Sequence, residues 1–564
     1  MKRFKYITII FILILFTACG RKEKDIEYTE LEREKLSEIS ATPGGEITIP
    51  IVNTDTFNPL YASNSTYYYF SKLIFEGLFN YDEKGVPTQQ IVEYYVLSPD
   101  KTSLSITLRD DVFWHDGKKL TTKDVETTFN AIKKLESDSI YYEHIKNCVG
   151  AHEDFDISTF ANVEVFDSRN IDFHFEKPYR DYLDMMIFPI LPSHIYNAEE
   201  MLEKENFKMI GTGPFSITES DSEGKLMLVR NDMYYSALPN ILNIGGKLVN
   251  SNELALVAFE SGQIDLTTAR NYDWNKYENN TRIRYEEFST NKLELIAINT
   301  QRQKFSGERG QLLRKAVALA INKRRIIDRV YLGKGIEATS LINPNHRYGT
   351  QAISEFYYNE DESKALLKKA GFRDMNNDGL LEDELGNTID IGVKTNALNS
   401  SRKLAAEFII QDLRAVGINA YADYKDLPAA NISEEMQNED YNNFINDITQ
   451  RNYDIAFYGI NMGMVTDLSS LLHSSAIGNM NVSAYSNYEM DNLLQRVKID
   501  EEDISTEELY NMINKIINID MPYIPIMFRQ EAILIDSRIQ GELNPNEFDN
   551  FRGFKNIFIL KQFQ

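Results

Sequence analysis

The chain has 564 residues, 60 of them Lys or Arg against 85 Asp or Glu, for a formal charge of −25. No segment gathers the cations that would displace counterions from a polyanion, which excludes nucleic acid as a partner. At 43% hydrophobic and 12% aromatic with two cysteines, the chain is globular, long enough for about three to four domain-sized units, and held without a disulfide framework.

Residues 1–18, MKRFKYITIIFILILFTA, are predicted to be a signal peptide: Lys2, Arg3 and Lys5 precede an apolar run shorter than the about 20 residues a bilayer requires. Cys19 follows Phe16-Thr17-Ala18 and precedes Gly20. This resembles the bacterial lipobox, with Phe16 where Leu is usual and small residues before the cysteine as cleavage requires. It implies a diacylglycerol on Cys19 and a chain tethered, lipid-anchored, to the extracytoplasmic face of the cell membrane. Residues 19–45 hold the lipidated Cys and a charged linker ending in Pro43-Gly44-Gly45, composition suited to a solvated spacer.

Short strand-like runs then alternate with helical patterns, an α/β rhythm. Strands are predicted at 46–52, 103–108, 171–176, 226–230, 293–298, 389–394 and 453–458, and helices at 121–135, 311–331 and 402–416, the last stopped by Gly417. The aromatic run Tyr67-Tyr68-Tyr69-Phe70 reads as core at the start of a helix. No catalytic signature occurs: there is no G-x-S-x-G elbow or P-loop, Gly211 and Gly213 are followed by Ser216, and His152-Glu153 lacks a second histidine. An enzyme is therefore not expected.

Two weak metal patterns are set aside. His144, Cys148 and His152 have the spacing of one helix face, but Val149-Gly150 breaks helix propensity between them. Asp374-Met375-Asn376-Asn377-Asp378-Gly379 begins like a calcium loop, yet its twelfth position is Leu385 in place of a bidentate Glu, with Glu382 and Glu384 close by. It reads as a polar surface turn. No metal and no cofactor are expected.

A resemblance appears from Phe57-Asn58-Pro59 onward. Phe75-Glu76-Gly77-Leu78 and the stretch 107–125, TLRDDVFWHDGKKLTTKDV, are followed by Leu191-Pro192-Ser193-His194, Gly211-Thr212-Gly213-Pro214-Phe215 and Arg230-Asn231-Asp232. Phe259-Glu260-Ser261-Gly262-Gln263-Ile264-Asp265 and Ala365-Leu366-Leu367-Lys368-Lys369-Ala370-Gly371 complete the series. This order resembles the family 5 extracellular solute-binding proteins, the oligopeptide and dipeptide receptors of ABC importers. The resemblance implies a two-lobed, periplasmic-binding-protein-like α/β fold with an additional domain inserted in the first lobe. Lobe one would comprise 46–88, 205–288 and 522–564, the inserted domain 89–204, and lobe two 289–521, with crossings near Thr290 and Asp520 acting as a hinge. The implied function is capture of a peptide or peptide-like ligand and its delivery to an ABC permease and ATPase complex. A sensory receptor of the same fold and a secreted hydrolase are the alternatives.

Peptide-binding relatives hold the ligand α-amine with an aspartate shortly after a tryptophan, in a loop that here runs from Gly459 to Leu468. By the resemblance Asn461 takes the tryptophan place and Met464, after Gly463, the aspartate place. A thioether cannot pair with an ammonium. Either Asp467 substitutes, or the ligand lacks a free α-amine there. Ser63, Asn64 and Ser65 correspond to residues that pair with the peptide backbone, Tyr424 to an aromatic covering the pocket, and Arg529 to a ligand contact that would favour an anionic or neutral group. The lipid anchor is tested by labelling with palmitate: the parent chain takes up label and Cys19→Ala does not, whereas a labelled Cys19→Ala chain would contradict it.

Overall fold

Alternation of buried and exposed side chains builds the first layer. In Glu46–Val52 the isoleucines at 47, 49 and 51 all point inward, the period of two expected of a strand with one covered face. This strand runs parallel to Asn243–Val249, which pairs antiparallel with Leu226–Arg230 and then Phe215–Ser220, giving a four-stranded sheet. The helix Ser65–Ser71 lies against it with Tyr67 and Phe70 fully buried.

The computed structural model describes residues 41–54, 56–62, 65–150, 155–220, 226–270, 274–349, 357–425, 433–501 and 504–564. The signal-peptide and Cys19 expectations, Ser63, Asn64 and His152 lie outside them. Residues Thr42–Gln564 form one compact unit. A second four-stranded sheet, wholly antiparallel, takes Val92–Leu97, Ser103–Leu108, Asn170–Phe175 and Ala161–Val165 in that spatial order. The helix Thr122–Ile132 packs on it through Val125, Phe129 and Ile132.

The motif residues of this half meet one another. Asp124 closes a capping box with Thr121 and accepts the Ser193 N–H at 2.8 Å, Asp116 lies 2.7 Å from His194, and His115 donates its N–H to the Gly211 carbonyl at 2.9 Å. Glu76, 2% exposed, accepts hydroxyls from Thr212, Tyr234 and Tyr235. These motifs are a polar scaffold that docks the segments onto each other.

The third sheet has seven strands and contains the two longest of the chain, Ile283–Ile298 and Tyr523–Asp536. They pair antiparallel from Ile283 opposite Asp536 to Ala297 opposite Tyr523, with register shifts between Ser289 and Leu293 and between Glu294 and Leu295. Leu266–Ala269 and Gly335–Glu337 flank the returning strand; Ile455–Asn461, Asp390–Lys394 and Asn419–Ala422 follow the outgoing one. Along each long strand the partners of the side chains change. Phe288 packs with the residues of the first sheets, whereas Leu293 and Leu295 pack with Tyr453, Leu509 and Ile513. On the returning strand Ile524 through Phe528 belong with this latter half, and Ala532 through Ile535 with the former. The change of core thus falls near Thr290 on the way out but at 529–531 on the way back, beyond the crossing expected near Asp520. The apolar run Tyr523-Ile524-Pro525-Ile526-Met527-Phe528 is buried throughout, and polarity returns only at Arg529.

Other departures are local. The strand predicted at 293–298 is the end of a sixteen-residue strand whose first part is half-exposed and polar. The helix predicted at 311–331 breaks into Gly307–Ala320 and Lys323–Val330, where the Asn322 side chain accepts the Arg325 N–H at 2.9 Å and caps the second piece. The stretch around 144–148, which the family resemblance implies is a loop, is the helix Ile140–Val149: Gly150, with φ of 72°, ends it as a left-handed cap and does not interrupt it. His144 and Cys148 are both buried on that helix.

Gly211 sits where an added Cβ would lie 1.9 Å from the Ile74 carbonyl oxygen. Gly211→Ala is therefore expected to destabilise the chain by ~2 kcal/mol or more; an unchanged urea midpoint would contradict this packing.

Candidate ligand-binding cleft

Where the long strands change cores, a cleft of about 620 Å³ opens over them. Ser289, Asn291 and Gln530 form its floor, Lys84 and Asn546 stand on one wall, and the segment 343–349 forms the other. Asparagines fold the crossing. Buried Asn343 donates to the Thr290 carbonyl at 2.9 Å and accepts the Asn345 N–H at 2.9 Å. Asn291 donates to the Gly463 carbonyl at 2.8 Å and its own carbonyl accepts the Met462 N–H at 3.0 Å. The crossing strand therefore positions both the 343–349 wall and the 459–468 loop.

That loop places its residues differently from an amine site. Asn461 ends its strand exposed and accepts the Gly463 N–H at 3.1 Å; Gly463 has φ of 71°. Met464 turns toward the first half, where its sulfur accepts the Tyr68 hydroxyl at 3.3 Å. Asp467 is 9% exposed, accepts the Ser469 N–H at 2.9 Å and faces the Lys498 ammonium at 3.8 Å. Ser65 opens a helix, and Tyr424 lines a separate groove of about 770 Å³ with Lys394 and Asp440. Tyr424 does not line the cleft at the crossing.

Arg529 faces Glu294 at 3.9 Å. Glu294, 2% exposed, is also held by Arg402 through Nε at 3.1 Å and Nη2 at 3.2 Å, and Arg402 reaches Asn396 at 3.3 Å. Two guanidiniums on one buried carboxylate need space, which Gly459 supplies: a Cβ there would stand 2.3 Å from Arg402 Nη2 and 2.6 Å from Glu294 Oε1. Sequence reasoning missed Glu294 and Arg402. The signal was present, a lone acid inside the apolar run Leu293-Glu294-Leu295-Ile296.

A second buried ionic group joins segments remote in the chain. Arg347 donates from Nη2 to Asp184 at 2.9 Å and Asp181 at 3.2 Å, and from Nη1 to the Gly85 carbonyl at 2.7 Å. Lys498 donates to the Asn147 carbonyl at 2.6 Å and stands between Asp181 at 3.9 Å and Asp467 at 3.8 Å. Tyr81 donates to Asp184 at 2.7 Å. Burial first, and then the neighbouring Asp184, push the Asp181 carboxyl up. Burial drives His144, 2.8 Å from the Asp184 carbonyl, down to about 4. Charges enclosed in this way need both partners.

Paired long strands whose side chains pass from one set of cores to another, with a polar cleft over the crossing, define a two-lobed binding protein. Residues 86–481 match the model for bacterial extracellular solute-binding proteins, family 5 Middle. The chain belongs to this family and is a solute-binding protein of an ABC importer, not an enzyme. The oligopeptide-binding protein AppA of Bacillus subtilis is 24% identical over 551 residues, 95% of each chain. The nickel-binding periplasmic protein of Escherichia coli is 24% identical over 390 residues, 67% of this chain and 70% of that one. The solved structure of the ABC transporter substrate binding protein CtaP of Listeria monocytogenes has a TM-score of 0.74 at 22% identity, covering 92% of this chain and 100% of that one. Among the described residues no helix is long and apolar enough to cross a membrane.

Removing Arg347 leaves Asp181 and Asp184 enclosed without their guanidinium, so Arg347→Ala is expected to cost ~3–5 kcal/mol in chemical denaturation; a cost below ~1 kcal/mol would contradict the assignment. His144 sets a pH dependence of known sign. Its folded pKa is depressed, so the unfolded chain takes up a proton the folded one refuses, and stability is lost as pH falls from about 6.5 toward about 4. His144→Gln should remove roughly 3 kcal/mol of that loss at pH 4; a variant with the parent's pH profile would show that the imidazole is not enclosed.

Proposed function

We propose that the chain is a lipid-anchored extracytoplasmic receptor that captures a peptide or peptide-like ligand between its two halves and presents it to an ABC permease. The observation that carries this reading is the double crossing of the paired long strands beneath a polar cleft, with Thr290 donating to the Arg529 carbonyl at 2.9 Å where both strands change cores. In this reading 46–88, 205–288 and 532–564 form lobe one, 89–204 the inserted domain and 289–528 lobe two, and the hinge lies at 289–293 and 529–531. The oligopeptide-binding relative, which aligns along almost the whole chain, favours a peptide over a chelated metal. The lipobox-like Cys19 supports the anchor, and the large negative charge is a solvated surface that keeps the tethered chain off an anionic bilayer.

Specificity follows from what faces the lobe-two loop. Met464 is engaged by Tyr68 and offers no charge, while Asp467 is committed to Lys498 and to the Ser469 amide. Neither is an open partner for an ammonium, so the ligand is held without its α-amine at this point, and Arg529 beside Glu294 selects an acidic or neutral group. Calorimetry with a peptide and its N-acetylated form tests this. Acetylation should change Kd by less than about threefold, and acidic peptides should bind more tightly than basic ones; a loss beyond about thirtyfold on acetylation, or tightest binding to basic free-amine peptides, would overturn it.

A further inference from the structure

We propose that the loop between the helix Glu360–Lys369 and the strand Asp390–Lys394 is a calcium site, with Asp374, Asp378 and Glu382 as its carboxylate ligands. One carboxylate oxygen from each of these residues lies within 4.8 Å of the others. That is the spread allowed when all three touch one ion at the about 2.4 Å of a calcium–oxygen bond. The donors are all hard oxygens, without histidine or thiolate, which suits calcium and not zinc.

The loop's own hydrogen bonds shape the turn. Asp374 accepts the Gly379 N–H at 3.0 Å, Asp378 the Leu380 N–H at 2.8 Å, and the Asn376 side chain the Asp378 N–H at 2.9 Å. Asn377 and Gly379 take the left-handed conformation, with φ of 63° and 88°. A sharp polar turn needs no ion for any of this. Glu382 is what a turn does not explain. It is 4% exposed; its Oε2 accepts the Met375 N–H at 2.8 Å, while Oε1 is enclosed with no hydrogen-bond partner. An enclosed carboxylate oxygen without a donor is costly and uncommon in a folded protein. A cation bridging it to Asp374 and Asp378 satisfies it.

This revises the surface-turn expectation drawn from the exposed Leu385 at the twelfth position. The ninth position, Glu382, supplies the buried ligand instead. It is fixed there because its backbone bridges Arg373 in both directions, at 2.8 and 3.0 Å, and the adjacent Leu381 N–H donates to the Gly417 carbonyl at 2.8 Å. The ion would brace the hairpin 373–388 internally, and the Leu381–Gly417 bond carries that rigidity to the end of the helix Ser400–Ala415, away from the cleft.

The test is calcium chloride titrated into the chelator-stripped chain, read by calorimetry and by the thermal midpoint, with magnesium chloride as the competitor. One calcium per chain with Kd of about 1 mM or tighter, a raised midpoint and at least tenfold weaker magnesium binding are expected. Glu382→Gln and Asp378→Asn should each weaken calcium at least tenfold while keeping the parent's circular dichroism in chelator; exposed Asp378 keeps the test decisive where Glu382→Gln does not fold. No binding at 5 mM calcium, a parent that binds magnesium equally well, or an Asp378→Asn chain that binds calcium like the parent would overturn the site.

Discussion

The strands Ile283–Ile298 and Tyr523–Asp536 are hydrogen-bonded to each other over almost their full length, yet the side chains they carry leave one hydrophobic core and enter another part-way along. Everything else in the molecule is arranged around that constraint. A backbone ladder resists stretching and shear but twists and bends where its register slips, and the first of its two slips lies between Ser289 and Leu293, at the change of core. The two halves are covalently joined and held in register there, and elsewhere meet through noncovalent contacts such as those of Arg347 with Asp181 and Asp184. A capture device needs this combination: the ligand contributes only the difference between its affinities for the closed and open arrangements.

Polar groups at the crossing then have to be accounted for. The buried amides of Asn291 and Asn343 donate to the carbonyls of Gly463 and Thr290 and so hold the neighbouring loops to the strand. Around them lie two buried ionic groups of different character. Glu294 with Arg402 and Arg529 stays within the second half and orients guanidiniums near the crossing. Arg347 and Lys498 reach from the second half to Asp181, Asp184 and the carbonyls of Gly85 and Asn147. Such a group contributes little net stability against an apolar replacement but penalises any arrangement that separates its members. It therefore acts as a registration device that makes one approach of the two halves better defined than others.

Much of this was legible in the sequence where a single physical pattern dominates. Ile47, Ile49 and Ile51 alternate because one face is covered, and Gly417 marks a helix end because it adopts φ of 91°. The family motifs were legible as scaffold because Asp116, Asp124, His115 and Gly211 serve turns, caps and close approaches. The rest failed for definable reasons. Residues 283–287 are partly exposed and mostly polar, so no periodicity announced the first part of this long strand. An unbroken apolar run cannot say which of two cores buries it, which displaced the second crossing from Asp520 to 529–531. Arg347, Asp181 and Lys498 look like surface charges one at a time, since only the fold brings them together. Asp467 is visible in the sequence as a charged residue of the loop, but its partner, Lys498, lies too far along the chain to be read.

The central claim is that ligand is captured by approach of two halves joined through these paired strands. Small-angle X-ray scattering on the mature chain, before and after saturation with a peptide whose binding is established by calorimetry, tests it most directly. The account requires the radius of gyration to fall when the peptide is bound. An unchanged radius at full occupancy would contradict it.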